Sequence, residues 1–315
     1  MTQRFLGRPL FVLGISLGLV LLPGCERTGN TTGQAIGVAK VARIEAATRP
    51  VDAANLLRDR LLAHDGAGFA RLAVPADLHA RLAEGWKDGR SRWPLDELPL
   101  DGRIPKMLAT LQAPGADKAL MTTFRQQFAG ADRDIDQAIR TLAVFGGEYV
   151  QNDGDYTAEE REHIGQAIVA LSAWGLQAPF ADKARAQRFF GALTAAARRS
   201  GIDGKAGPAA FADLGMQASL TRLSPFLATL LAQLRQQYGL DIDASLRALK
   251  VTLLQQTGDT ARLRLQYPLA GRDIDAVVPA VRIDGHWYLA DFVQRAEASL
   301  AAEQTATGGK KPSPP

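Results

Sequence analysis

The sequence predicts an α+β chain: a mainly helical N-terminal part packed with a C-terminal four-stranded antiparallel meander and a closing helix. Three observations carry this expectation. From residue 50 to 240 apolar residues recur at helical spacing between recognisable end signals, near residue 250 the apolar period changes from helical to alternating, and Asp284-Gly285 joins two alternating runs.

Each helix is marked by a stripe. Val51, Ala54, Leu57 and Leu61 share one face, as do Leu78, Leu82 and Trp86 after Pro75. Leu120, Met121, Phe124 and Phe128 form a stripe that ends at Gly130, and Ile135, Ile139, Leu142 and Phe145 form another that is expected to stop at Gly146-Gly147. Thr157 with Glu160 reads as a capping box opening a helix through Ile164, Ile168 and Leu171, closed by Gly175. Phe189, Phe190 and Leu193 lead to Arg198, Arg199 and Gly201. Ser224-Pro225 is expected to restart a helix carrying Phe226, Leu230, Leu234 and Tyr238, with Gly239 as its stop.

The meander follows. Val251 and Leu253 lead into a turn at Gly258-Asp259, after which Ala261, Leu263, Leu265 and Tyr267 alternate with Arg262, Arg264, Gln266 and Pro268. Ile274, Ala276 and Val278 fall on even positions but Val281 and Ile283 on odd ones, so a bulge is expected near Pro279-Ala280 if both sets face the core. Asp284-Gly285 then turns the chain into His286-Trp287-Tyr288-Leu289, and Phe292, Val293, Ala296 and Leu300 mark the closing helix. These last strands, with Asp284, Gly285, Trp287, Tyr288, Leu289 and Phe292, resemble the C-terminal strands of NTF2-like (cystatin-like α+β) proteins. That family normally brings more strands around a helix, and no catalytic dyad of the family is matched here. The resemblance implies a curved sheet enclosing a pocket.

The N-terminus reads as an address. Arg4 and Arg8, with no acidic neighbour, precede an apolar run from Leu10 to Leu22 that is shorter than the roughly 20 residues a membrane-spanning helix takes. A core helix without a polar face is the alternative. Leu22-Pro23-Gly24-Cys25 resembles the lipobox of bacterial lipoproteins, with Pro23 where a small or hydroxyl residue is usual. The resemblance implies a signal peptide over residues 1–24, cleavage before Cys25, a diacylglyceryl thioether on its thiol and acylation of the new amino group, palmitate being one such acyl group. Three chains would anchor the protein stably in the membrane. Glu26, not Asp, follows Cys25, which for that family points to the outer membrane, facing the periplasm, with the inner membrane as the alternative. Cys25 is the single cysteine of the chain, so no disulfide is expected.

Residues 25–49 are expected to be an acylated cysteine and flexible tether, 50–240 the helical part, 241–303 the meander with its helix, and 304–315 a disordered tail. Without Arg4 and Arg8 the chain carries 35 basic and 33 acidic residues, spread along helices instead of gathered into a patch, so no nucleic-acid partner is expected.

Sequence motifs for chemistry are sparse. Glu160 and His163 form an E-x-x-H, half of what a di-iron bundle uses, but there is no second copy; Glu160 is read as a cap and His163 as lying near the solvated side. Asp132, Asp134 and Asp136 open like a calcium loop, yet Gln137 and Ala143 stand where glycine and glutamate are needed. Asn152, Asp153 and Asp155 are read as a solvated turn. Nucleophile elbow, Walker loop and dinucleotide fingerprint are lacking, so no catalytic residue, metal or cofactor is assigned.

Residues 84–105 lack a period, and Trp86, Arg92 and Trp93, with Arg90 and Asp96, are candidates for an exposed aromatic and arginine surface; the alternative is that both tryptophans cover the core. Two functions follow. The first is a non-enzymatic, membrane-anchored adaptor for a cell-envelope protein. The second is a small-molecule binder or isomerase-like protein with a pocket under the C-terminal sheet, near Tyr267, His286, Trp287 and Tyr288.

Overall fold

A computed structural model describes residues 46–98, 101–152 and 156–301. Over these the chain forms eleven α-helices and one four-stranded antiparallel sheet, the α+β arrangement the sequence predicts. The expected signal segment, Cys25, the tail and most of the tether lie outside the described residues. Among the described residues no helix is long and apolar enough to cross a membrane.

Residues 46–49, the last of the expected tether, pack onto the fold. Ala47 is buried and its carbonyl accepts a hydrogen bond from the Trp287 amide at 2.8 Å, which ties the incoming chain to the last strand just before α1 (Pro50–Leu62). Helix α2 (Gly66–Ala73) is capped by Asp65, whose carboxylate accepts from the Gly68 amide at 2.7 Å. The stripe of α3 (Ala76–Lys87) buries Leu78, Leu82 and Trp86. Helix α8 (Lys183–Arg199) packs against α9 (Ala209–Tyr238), and α4 (Ile104–Gln112) and α5 (Ala116–Gln127) pack on α8 and on each other.

Helix α6 (Asp132–Asn152) does not stop at Gly146-Gly147. Gly146 is buried where α6 packs on α7 (Ala158–Gly175), near Ile168, and the tertiary contact carries the helix through it. The stripe on α6 is only half used: Leu142 is 70% and Phe145 72% exposed. Helix α9 likewise runs through Pro225, because Leu223 and Phe226 on either side are buried and hold that turn in place; the interruption falls at Gly215, with φ 72°. Its end at Gly239 is as expected, with φ 78° and the Gly239 and Leu240 amides donating to the Arg235 and Leu234 carbonyls.

The region from residue 241 opens with a helix, α10 (Ile242–Ala248), capped by Asp241, before the meander of β1 (Lys250–Thr257), β2 (Thr260–Leu269), β3 (Arg272–Ile283) and β4 (His286–Leu289). Asp284 (φ 50°) and Gly285 (φ 80°) form the expected tight hairpin turn. The expected bulge near Pro279-Ala280 is not there. The β2–β3 register is unbroken from Thr260 opposite Val281 to Leu269 opposite Arg272, and the irregularity falls in β1 between Leu253 and Gln255. Ile274, Ala276, Val278 and Ala280 stay buried together, whereas Val281 and Ile283 are half-buried on the other face, so no extra residue is needed.

Helices α1, α7, α10 and α11 (Ala290–Ala301) pack against the sheet. One hydrophobic cluster runs from Leu82 and Trp86 through Phe211 to Leu263 and Trp287, so the helical part and the meander share a core. Strand β4 pairs with only the last part of β3. At the remaining edge the Gln166 side chain of α7 acts like a strand: its amide donates to the Asp275 carbonyl (2.9 Å) and its oxygen accepts from the Asp275 amide (2.8 Å).

Candidate functional site: an apolar pocket beneath the sheet

The inner face of the sheet is not filled. A pocket with about 100 Å³ of free space, partly open to solvent, lies between the sheet and the helices. Ala54, Leu57 and Leu61 of α1 form one wall; Ile242, Leu246 and Leu249 another; Leu265, Val278 and Leu289 of the strands form the roof, and Phe69 and Phe292 close an end, their rings edge to face at 5.4 Å. The alternation on β2 and β3 aims these side chains to one face, and the stripe on α1 supplies the opposite wall.

Few polar groups interrupt this lining: Arg58, Ser245, and a set at one side made by His163, Tyr267 and Asp291. His163 Nε2 and the Tyr267 hydroxyl are hydrogen-bonded at 2.8 Å, in the direction set by the imidazole tautomer. Burial pushes the imidazole down to about 4, against a smaller opposing pull from Glu160, so the ring is neutral at neutral pH. Burial also lifts the Tyr267 phenol well above its ordinary value.

Asp291 stands in the first turn of α11. Burial, helped by the neighbouring Glu160 and opposed by Arg295, raises its carboxyl to about 6. Arg295 is engaged elsewhere, with Glu160 at 2.9 Å and Glu97 at 3.4 Å. Glu160 completes the capping box of α7, where its carboxylate accepts from the Thr157 amide at 2.8 Å. Among the described residues the Asp291 carboxylate has no hydrogen bond or ion pair of its own.

The sequence-predicted pocket residues separate here. Tyr267 lines the cavity, but His286, Trp287 and Tyr288 do not. Trp287 is buried in the main core with the Arg282 guanidinium 5.8 Å from its ring; His286 and Tyr288 are half-buried near the hairpin turn. His163 is 4% exposed, not on the solvated side, and the Glu160 cap is as expected. The signal for His163 was a second stripe on α7, His163-Ala167-Ala170-Trp174, whose two middle residues are too small to stand out; Ala167 and Ala170 are fully buried. For Asp291, in the first turn of α11 and next to Phe292, no sequence pattern supplied a signal.

The expected aromatic and arginine surface is corrected. Trp86 is 1% and Trp93 0% exposed, and the Trp86 indole donates to the Trp93 carbonyl at 2.8 Å. Arg92 is half-buried, its amide donating to the Asp96 carboxylate. The segment has no period because it is built from short turns: the Ser91 hydroxyl meets Ser299 of α11 at 2.8 Å, and single 3-10 turns at Leu95–Glu97 and Asp101–Arg103 carry the chain to α4. Burying two indoles outweighs leaving them to solvent.

A second, polar groove beside α7 is lined by Glu159, Glu162, Arg264 and Asp275, but Arg264 pairs with Asp275 and Glu159 with Arg262. Among the described residues no three His, Cys, Asp or Glu stand together as a metal site. No protein-family model matches the chain, and comparison with curated proteins and with solved structures finds no match either.

Proposed function

We propose that the described part of the chain binds a small apolar molecule with one polar end, in the space between the sheet and helices α1, α2, α7, α10 and α11. One observation carries the reading: the cavity is apolar on nearly all sides yet holds a His163–Tyr267 pair and a carboxyl at one side. Apolar walls with few convergent polar groups and shifted titrations are the ordinary make-up of a ligand site. The lipobox-like segment ending at Cys25 supports a location at the cell envelope, with the binder held to a membrane, the outer one favoured by Glu26. The test is an NMR titration of the full chain, carrying Cys25→Ser to prevent acylation, with hexanol. Shifts confined to the methyls of Leu57, Leu61, Leu246, Leu265, Val278 and Leu289, and abolished in Val278→Phe, are expected. Unmoved pocket methyls at millimolar hexanol would overturn the reading.

A role as adaptor for a cell-envelope protein is the second reading. It no longer has Trp86 and Trp93 to offer; what favours it is the exposed side of α6, where Leu142 and Phe145 face solvent, fitted to an apolar surface on a partner protein. In-cell crosslinking tests it: loss of a crosslinked partner in Leu142→Lys/Phe145→Lys is expected, and an unchanged set of crosslinks would discard that face.

A further inference from the structure

We infer that the pocket selects among apolar ligands by charge, taking a molecule with a slim hydrocarbon body and a cationic amine head, with Asp291 as counter-ion. The inference rests on the binding reading above and adds the class of ligand.

The argument starts from what each polar group in the pocket already has. His163 and Tyr267 satisfy each other at 2.8 Å. Arg58 lines the rim, but its guanidinium is held by Asp59 (2.8 Å) and Asn55 (3.0 Å). Arg295, the cation nearest in the sequence of α11, bonds Glu160 and Glu97. Asp291 lines the cavity with neither hydrogen bond nor ion pair among the described residues, and most of the lining it shares, Phe292, Leu289 and Leu265 included, is apolar.

An ionised carboxyl in such a place is destabilised by lost hydration. The first turn of α11 favours the negative charge, and Glu160 of α7 disfavours it. The charged groups that act on it, Glu160 from α7 and Arg295 from its own helix, pair with each other, and the other titratable groups of the lining, His163 from α7, Tyr267 from β2 and Arg58 from α1, are neutral or already paired. An entering ammonium would therefore be the first dedicated partner of this carboxylate, while an entering carboxylate would meet Asp291, with Glu160 behind it, and no unengaged cation in the lining. An alcohol would gain one hydrogen bond and no charge pairing. About 100 Å³ of free space suits a short alkyl chain or a single ring, with the remainder of a longer molecule emerging through the open side.

The experiment compares three probes with one hydrocarbon body, hexylamine, hexanol and hexanoate, titrated into the full chain carrying Cys25→Ser at pH 7.5 and followed through the pocket methyls. Hexylamine is expected to bind at least about tenfold more tightly than hexanol, and hexanoate most weakly. Asp291→Asn is expected to bring hexylamine down to the hexanol value while hexanol binding persists, which also shows that the variant is folded. Near pH 6 hexylamine binding is expected to release protons, read as a dependence of the calorimetric heat on the ionisation enthalpy of the buffer. Hexanoate binding as tightly as hexylamine, or an amine preference that survives Asp291→Asn, would overturn the charge selection while leaving the binding reading intact. If none of the three moves the pocket methyls, both fall together.

Discussion

Two corners of this molecule carry aromatic rings among polar groups, and they have opposite interiors. Around Trp86 and Trp93 the space is closed: both indoles are essentially without solvent exposure, Trp86 packs edge to face on Phe211 with centroids 6.4 Å apart, and the Trp86 indole donates to a main-chain carbonyl. Beneath the sheet, the side chains of five helices and three strands stop short of one another and leave a cavity with a histidine, a tyrosine and a carboxyl on its wall. The first arrangement converts aromatic area into stability. The second forgoes contacts that a filled core would make and retains groups whose charged forms are disfavoured where they stand, which is the signature of a place kept for something else.

The largest expected difference between the two lies in truncation. Trp93→Ala is expected to lower the unfolding free energy by about 3–5 kcal/mol, from a side chain with 0% exposure whose loss leaves a void beside Trp86. A urea midpoint checks it. A loss below about 1 kcal/mol would mean that the segment between α3 and α4 docks loosely and would erase the contrast with the pocket.

The next effect is electrostatic and has the opposite sign. Because the folded chain holds Asp291 at about 6, above its ordinary 3.8, its contribution to stability is complete below pH 3.8 and is lost as pH rises through 6. Asp291→Asn is therefore expected to stabilise the fold above pH 6 by roughly 2–3 kcal/mol and to give no gain below about pH 4. His163 runs the other way. With its folded value lowered from 6.5 to about 4, its contribution is complete above pH 6.5 and is lost as pH falls through 4. In the natural sequence the two slopes oppose each other across the same range. In Asp291→Asn the acid loss from His163 stands alone, so urea midpoints between pH 6.5 and 4 are expected to fall more steeply than in the parent. Parallel curves would show that the carboxyl is not held in the apolar wall.

Tyr267→Phe is smaller, about 1 kcal/mol, since it removes one hydrogen bond and leaves the buried His163 Nε2 without its partner. The same variant is expected to raise hexanol affinity slightly or leave it unchanged, because the wall becomes more apolar; paired thermal melts and titrations separate the two effects.

What the sequence made legible follows the same division. Large apolar residues at regular spacing were readable, so α1, α3, α7 and α8 lie where the stripes of Leu57, Leu82, Ile164 and Leu193 put them, and the Asp284-Gly285 hairpin follows from two positive φ angles that such a pair tolerates. Glycine and proline were readable only where the backbone alone decides. Gly239 stops α9 through its own left-handed conformation, but Gly146 and Pro225 are overruled by neighbours that no local pattern reveals. The pocket was legible as a region and not as a residue set. Its polar side unites positions 163, 267 and 291, whose placing depends on how α7 closes on β2 and β3 and α11 on β3 and β4, and the alanines of α7 give little sign of which way a histidine points.

The smallest expected change in stability is also the sharpest comparison, because it uses two residues that face each other across one ladder. Leu263 and Val278 are register partners on β2 and β3, both buried on the inner face. Only Val278 borders the cavity; Leu263, with 0% exposure, belongs to the packed core. Enlarging either to phenylalanine adds volume, and more is added at Val278 than at Leu263. If packing were uniform, the larger addition would be the more damaging. Leu263→Phe is expected to destabilise by about 1–3 kcal/mol, as overpacking a filled site does, whereas Val278→Phe is expected to change stability by less than about 1 kcal/mol because the ring enters space that is already free. The reverse order in urea midpoints would mean that the cavity is not held open in solution, and the ligand reading would lose the one observation that carries it.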